Sequence, residues 1–253
     1  MRSRGPIHVR NLRADHLPFP MPPRPHALRQ SWLDLTFLHW EVEPEQLHPF
    51  LPAGLELDLF EERAYVGIIP FVMSGVRPRW AIPLPGVSRF PEFNIRLYVR
   101  HQDRPGVLFL TLEAQSRITC WFAPRFYGLP YRYSRGWVKA DSDTHAWSTS
   151  RRDGTHGFAG CSKAEGEIRT AVPGSLEHFL FERYALYTTH RNKLQIAYTH
   201  HIPWEFRDGR VDLTTNDLGM RFSLGLTSPL EPDLVHMSTG VEVRTWSIQE
   251  VHP

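Results

Sequence analysis

The chain is 253 residues long, with 29 basic against 27 acidic side chains and a formal net charge of +2. A hydrophobic fraction of 41% supports a sizeable core. With no Lys or Arg block the mild basic bias argues against a nucleic-acid arm, and no run approaches the roughly eighteen apolar residues of a membrane-spanning helix.

Residues 1–27 read as an Arg- and Pro-rich arm. Pro18, Pro20, Pro22, Pro23 and Pro25 preclude a helix or a central strand, so the arm is expected to lie extended over a single domain at 28–253. Trp32 to Trp40 has the composition of a strand. Glu43 to Leu51 reads as a short helix, with proline in its first turn and acidic residues at its positive end. Leu55 to Phe60 and Ala64 to Val72 are expected as short strands about the turn Glu61-Glu62-Arg63. Residues 77–91 carry Pro78, Pro83, Pro85, Gly86 and Pro91 and predict a long irregular loop, whose Trp80, Ile82 and Leu84 could cover something.

Glu92 to Val99 alternates strictly. Phe93, Ile95, Leu97 and Val99 point one way, while Glu92, Asn94, Arg96 and Tyr98 point the other. The polar face is either a wet surface or a cavity lining, and on pattern alone the wet surface is the commoner arrangement. A second apolar run, Gly106 to Leu112, follows. Ser116 to Phe126 predicts a helix broken or ended by Pro124 and by Gly128-Leu129-Pro130. Strands are then expected over Ser134 to Asp141, Ala146 to Arg151 and Gly166 to Thr170. Ser175 is a candidate N-cap for a helix carrying Leu176, Phe179, Leu180 and Tyr184. Leu194 to His201 and the alternating Leu234 to Ile248 complete the strands. So many short strands predict a mainly β fold, a curled or closed antiparallel sheet with a few short helices.

The candidate chemistry lies in two groups. Glu92, Asn94 and Arg96 share a strand face, where a carboxylate beside a guanidinium can orient a ligand or act as a base; a surface ion pair is the plainer reading. Arg125, Arg132 and Arg135 sit among Tyr127, Tyr131 and Tyr133, which suits a carboxylate pocket or simple Arg–Tyr stacking. His200 and His201, being adjacent in a strand, cannot chelate one ion together, and no metal site is expected. Cys120 and Cys161 read as buried, reduced thiols without zinc spacing. Lys139, Lys163 and Lys193 are the only lysines.

Trp32 to Trp40, the Leu51-Pro52-Ala53-Gly54-Leu55 turn, Glu92 to Val99, Leu129-Pro130-Tyr131, Phe179 to Tyr184 and His201-Ile202-Pro203-Trp204 together resemble the uncharacterised bacterial YqjF-like family. That family is remotely similar to acetoacetate decarboxylase, a β barrel with a buried pocket and a Schiff-base lysine in a Phe-Pro-Lys-Lys motif. The resemblance puts Arg125 at the decarboxylase's motif arginine, Tyr131 at the nucleophilic lysine and Arg132 at its cationic neighbour. Glu92 resembles the pocket glutamate. A phenol forms no imine. The resemblance therefore implies a barrel that binds, or turns over, a small organic acid or carbonyl compound without a Schiff base. Glu92 and Tyr131 would move protons, while Asn94, Arg96, Arg125 and Arg132 hold an anionic ligand. The alternative is a non-catalytic sensing or assembly module on the same scaffold. No cofactor, nucleic-acid partner or membrane contact is expected. Homo-oligomerisation is left open. With no apolar signal core in residues 1–13, a cytoplasmic location is expected.

Overall fold

The computed structural model describes residues 14–84 and 86–251, and these form fourteen strands and four short α-helices. The first thirteen residues of the expected arm lie outside the described part. In chain order the elements are β1 (Leu28–Val42), α1 (Pro44–Leu47), β2 (Glu56–Leu57), β3 (Ala64–Pro78), β4 (Arg89–His101), β5 (Arg104–Ala114) and α2 (Arg117–Tyr127). Then come β6 (Tyr131–Tyr133), β7 (Arg135–Ala140), β8 (Thr144–Ser150), β9 (Phe158–Thr170), α3 (Leu176–Phe181) and β10 (Ala185–His190). The chain ends with β11 (Lys193–His200), β12 (Glu205–Asn216), α4 (Asp217–Met220), β13 (Leu234–Thr245) and β14 (Gln249–Glu250).

All strands belong to one sheet, in the order β14-β11-β10-β5-β4-β3-β1-β13-β12-β9-β8-β7, with β2 on β4 and β6 on β5. One further pairing decides the architecture. Thr199 and His200 of β11 pair with Thr245 and Arg244 of β13. That contact closes β1, β3, β4, β5, β10, β11 and β13 into a ring and removes the edges an open sheet would present. The free edge of β13 is shared: its start pairs with β12 through Met237 and His236, its end with β11. From β12 the sheet runs on through β9, β8 and β7 as a wing folded over the outside of the ring.

This layering buries both faces of the ring strands. One core fills the space between ring and wing, where Phe93, Ile95, Leu97 and Val99 meet Trp147 and Phe158. The other lies inside the ring and contains Leu35, Ile69, Phe71, Phe90, Leu112 and Phe181. A register shift in β5 explains its unbroken apolar run. Ile95 pairs with Thr111 but Arg96 with Phe109, so Leu110 is extra and the inward parity changes from Leu112 to Phe109 and Val107.

Several expectations are corrected in extent, and further strands are added. β3 and β4 extend into the expected 77–91 loop and leave only 79–88 as connection. β9 begins at Phe158 instead of Gly166, and β10 and β12 were not anticipated. α2 continues through Pro124 and stops at Gly128, which takes a left-handed φ of 65°. There a Cβ would stand 2.7 Å from the Thr189 carbonyl oxygen, so the position needs glycine twice over. The described part of the arm is tied to the ring: Trp246 Nε1 donates to the Arg24 carbonyl at 2.7 Å, and Phe19 packs edge-on to Tyr198.

Candidate functional site

The inward face of β4 builds the site. Glu92, Asn94 and Arg96 alternate with the core residues Phe93, Ile95 and Leu97, so ring closure points all three into the interior. They line a cavity of about 950 Å³ whose other walls are mainly apolar, including Ile69, Phe71, Phe109, Leu112 and Trp204. The mouth lies where β4 begins, beside the 79–88 connection and α2. At a strand rise of about 3.3 Å per residue, Arg96 stands roughly 13 Å deeper than Glu92. α3 seals that deep end: Arg96 donates from Nη2 to the Leu180 carbonyl at 3.1 Å, and Phe181 packs on Phe37 at 4.8 Å.

Glu92 is 2% exposed and accepts one hydrogen bond, from the Tyr131 hydroxyl at 2.9 Å. Burial drives its carboxyl up from the ordinary 4.5 to about 8, against the opposing pull of that hydrogen bond. The Tyr131 hydroxyl is itself held well above its ordinary value by burial and by the neighbouring Glu92. Tyr131 owes its place to β6, which leaves the Gly128-Leu129-Pro130 turn and pairs in parallel with β5, setting Tyr131 beside Leu112. The proton of a protonated Glu92 would thus sit inside an apolar chamber, next to a phenol, at near-neutral pH.

Among the described residues, two buried polar atoms of the lining have no partner. Asn94 Oδ1 accepts no hydrogen bond and Trp32 Nε1 donates none. A buried amide oxygen or indole N–H left this way is costly, and both side chains belong to the cavity lining. Deeper in, Arg96 Nε donates to the Tyr98 hydroxyl at 3.1 Å, and that hydroxyl lies 2.6 Å from His39 Nε2. Among the described residues Arg96 has no carboxylate in ion-pair contact, whereas its neighbour Arg183 is paired with Asp58.

The structure gathers Glu92, Asn94, Arg96 and Tyr131 in the cavity and leaves Arg125 and Arg132 outside it. The reasons are local. Arg125 stacks over Trp121 one turn back along α2 and donates to the Trp121 carbonyl at 3.0 Å. Arg132 follows inward-facing Tyr131 on a strand, so it faces out and is exposed. Glu113 on β5 is paired with Arg151 at 2.5 Å. The cysteines are also less buried than expected: Cys161 is exposed and Cys120 partly so. His201, just past the end of β11, lines the cavity, while His200, the last residue of that strand, packs beneath the arm. Sequence reasoning missed Trp32, whose ring stacks on Trp204; only the turn Ile202-Pro203 brings that partner inward, and no local pattern signals it. No group of metal-ligating side chains occurs among the described residues.

Comparison with known proteins agrees with the fold. The sequence profile of the DUF2071 family, described as an uncharacterized conserved protein, matches residues 29–242. An uncharacterized protein of Bacillus subtilis (strain 168), YqjF, is 32% identical over 224 residues, covering 88% of this chain and 92% of that protein. Among solved structures, the enduracididine biosynthesis enzyme MppR, complexed with the condensation product of pyruvate and imidazole 4-carboxaldehyde, superposes with a TM-score of 0.61. The two are 13% identical, with 90% of each chain covered. Acetoacetate decarboxylase from Legionella pneumophila gives a TM-score of 0.56 at 14% identity over 97% of this chain and 98% of that one. At such identities the likeness is one of fold.

Proposed function

The chain belongs to the DUF2071 family on an acetoacetate decarboxylase-like fold, and from that premise we propose that its barrel cavity binds a small organic acid or carbonyl compound with an apolar body. One observation carries the reading: a polar row, Glu92, Asn94 and Arg96, set into a mainly apolar cavity, with Asn94 Oδ1 and Trp32 Nε1 unpartnered among the described residues. Arg96 supplies the charge for a carboxylate or a polarised carbonyl oxygen. Asn94 and Trp32 orient the head group, and the apolar walls take up the body. Glu92, poised near neutrality against Tyr131, is placed to give or take a proton. An imine is not part of this chemistry: no lysine lines the cavity, and Lys139, Lys163 and Lys193 are all exposed.

A thermal-shift screen of monocarboxylates and 2-oxo acids with bodies of increasing length tests this. A ligand at a hundred times its dissociation constant adds roughly 2.7 kcal/mol of stability. Arg96→Gln should abolish the shift, and Arg132→Ala should leave it intact. If no acid raises the midpoint, or if Arg132→Ala loses the response while Arg96→Gln keeps it, the cavity is not the binding site.

A further inference from the structure

Half of the large apolar side chains exposed among the described residues, seven of fourteen, crowd the cavity mouth and the outer face of the helix beside it. Trp80 and Ile82, 82% and 78% exposed, project with Leu84 from the connection between β3 and β4. On α2, Ile118, Trp121, Phe122 and Phe126 follow helical spacing and face outward. Only Ala123 of that helix is buried, so its apolar stripe serves solvent and not the core. The two groups adjoin, because Trp80, Ile82, Leu84, Ile118 and Phe122 all border the same cavity.

The two stretches of chain that build this patch carry charge of one sign. The sequence contains no Asp or Glu between Arg63 and Pro91, and none between Ala114 and Ala140. Those stretches carry Arg77, Arg79 and Arg89 beside the connection, and Arg117, Arg125 and Arg132 on or after α2. None of these arginines makes an ion pair among the described residues. Their bonds go to neutral groups: Arg77 to the Gly75 carbonyl, Arg89 to the Ser74 hydroxyl, Arg125 to the Trp121 carbonyl.

We propose that this face docks on an anionic lipid bilayer, with Trp80, Ile82, Trp121 and Phe126 entering the headgroup region and the arginines contacting lipid phosphates, so that the cavity opens toward the membrane. Exposed tryptophans ringed by arginine suit the polar–apolar boundary of a bilayer, and the arginines add attraction to an anionic leaflet. A second copy of the chain is a poorer occupant, since pairing this face with itself would oppose two arginine sets with no acid between them. The sequence expectation of no membrane contact came from the lack of a spanning segment, and no helix among the described residues is long and apolar enough to cross. Surface docking requires none. It also does not depend on which ligand the cavity takes, or on whether it takes one.

The test is co-sedimentation of the full chain with vesicles of phosphatidylcholine alone and of phosphatidylcholine mixed equally with phosphatidylglycerol, alongside light scattering of the free protein. Binding to the anionic vesicles only, weakened at about 1 M salt where the Debye length falls to ~3 Å, is expected. Trp80→Ser/Ile82→Ser and Arg79→Glu/Arg125→Glu should each lower partitioning about tenfold or more with an unchanged melting temperature, because all four positions are exposed. Absence of vesicle binding by the parent, or undiminished binding by both variants, would overturn the proposal. So would a dimer that Trp80→Ser/Ile82→Ser converts to monomer, which would assign the face to self-association.

Discussion

At Glu92 burial disfavours the carboxylate more than the Tyr131 hydrogen bond favours it, and the group titrates near 8 in the fold. An acid whose folded pKa lies above its unfolded value keeps a proton that the unfolded chain has lost. Its contribution to stability is therefore full below about 4.5 and is lost as the pH rises through about 8. At about 1.4 kcal/mol per pH unit that loss is on the order of 5 kcal/mol at most. Glu92→Gln, neutral and of the same shape, should remove it. Denaturant titrations at about pH 6 and about pH 9 should show the variant gaining on the parent with pH; a constant gap would mean the carboxyl is solvated. Tyr131→Phe deletes the hydrogen bond that favours ionisation, so the Glu92 titration followed by carbon NMR should move higher still. The same residue defines a chemical limit. Incubation with acetoacetate and borohydride should leave the protein mass unchanged, and a reduced adduct on Lys139, Lys163 or Lys193 would refute chemistry without an imine.

β4 shows how one element serves two compartments. Its odd positions pack between ring and wing, and its even positions face the cavity, so neighbouring residues should respond oppositely to substitution. Ile95 is fully buried. Ile95→Asp places an unpaired charge there and should cost several kcal/mol, roughly 3 or more. Asn94→Ala removes an amide whose oxygen has no partner, so the melting temperature should change little while the ligand-induced shift is lost. Similar small effects from both would contradict the two-faced strand. α2 was legible as a helix opening at Ser116 and stopped by Gly128, whose helix-terminating role needs only local chain geometry. Which face of α2 meets solvent was not legible, because its apolar stripe looks like any core-facing stripe until its neighbours are placed.

Across the whole molecule, burial sets up a second pH dependence of opposite sign. His39, His201 and His236 are each less than 5% exposed, and burial lowers the pKa of all three, that of His236 to about 4. A base with a depressed folded pKa contributes stability that is present above about 6.5 and is lost as the pH falls toward the folded value. For His236 the span corresponds to roughly 3 kcal/mol. In the Glu92→Gln variant this limb should show above the carboxylate range, with the melting temperature rising from about pH 5 to about pH 7; a flat profile there would mean these imidazoles charge freely in the fold. Ring closure also predicts a hierarchy of opening. Amides in the β11–β13 pairing should exchange as slowly as those of β4, and β7, at the free end of the wing, should exchange first.

The sequence by itself determined the local periods and stops: the two-faced strand at Glu92 to Val99, the helix cap at Ser175, the helix stop at Gly128, the mainly β composition and the order of motifs that marks the family. These depend on neighbours a few residues apart, which is the range over which alternation, capping and proline act. Only the tertiary structure decided which polar face looks into a chamber. Glu92, Asn94 and Arg96 face the cavity because Thr199 and His200 meet Arg244 and Thr245 across about forty-five residues of chain, a contact that leaves no local trace. For the same reason Tyr131 entered the cavity and Arg132 did not. Parity along β6 was readable, but its absolute sense came from the parallel pairing with β5, and side-chain direction on a strand has no meaning until a partner strand supplies an inside.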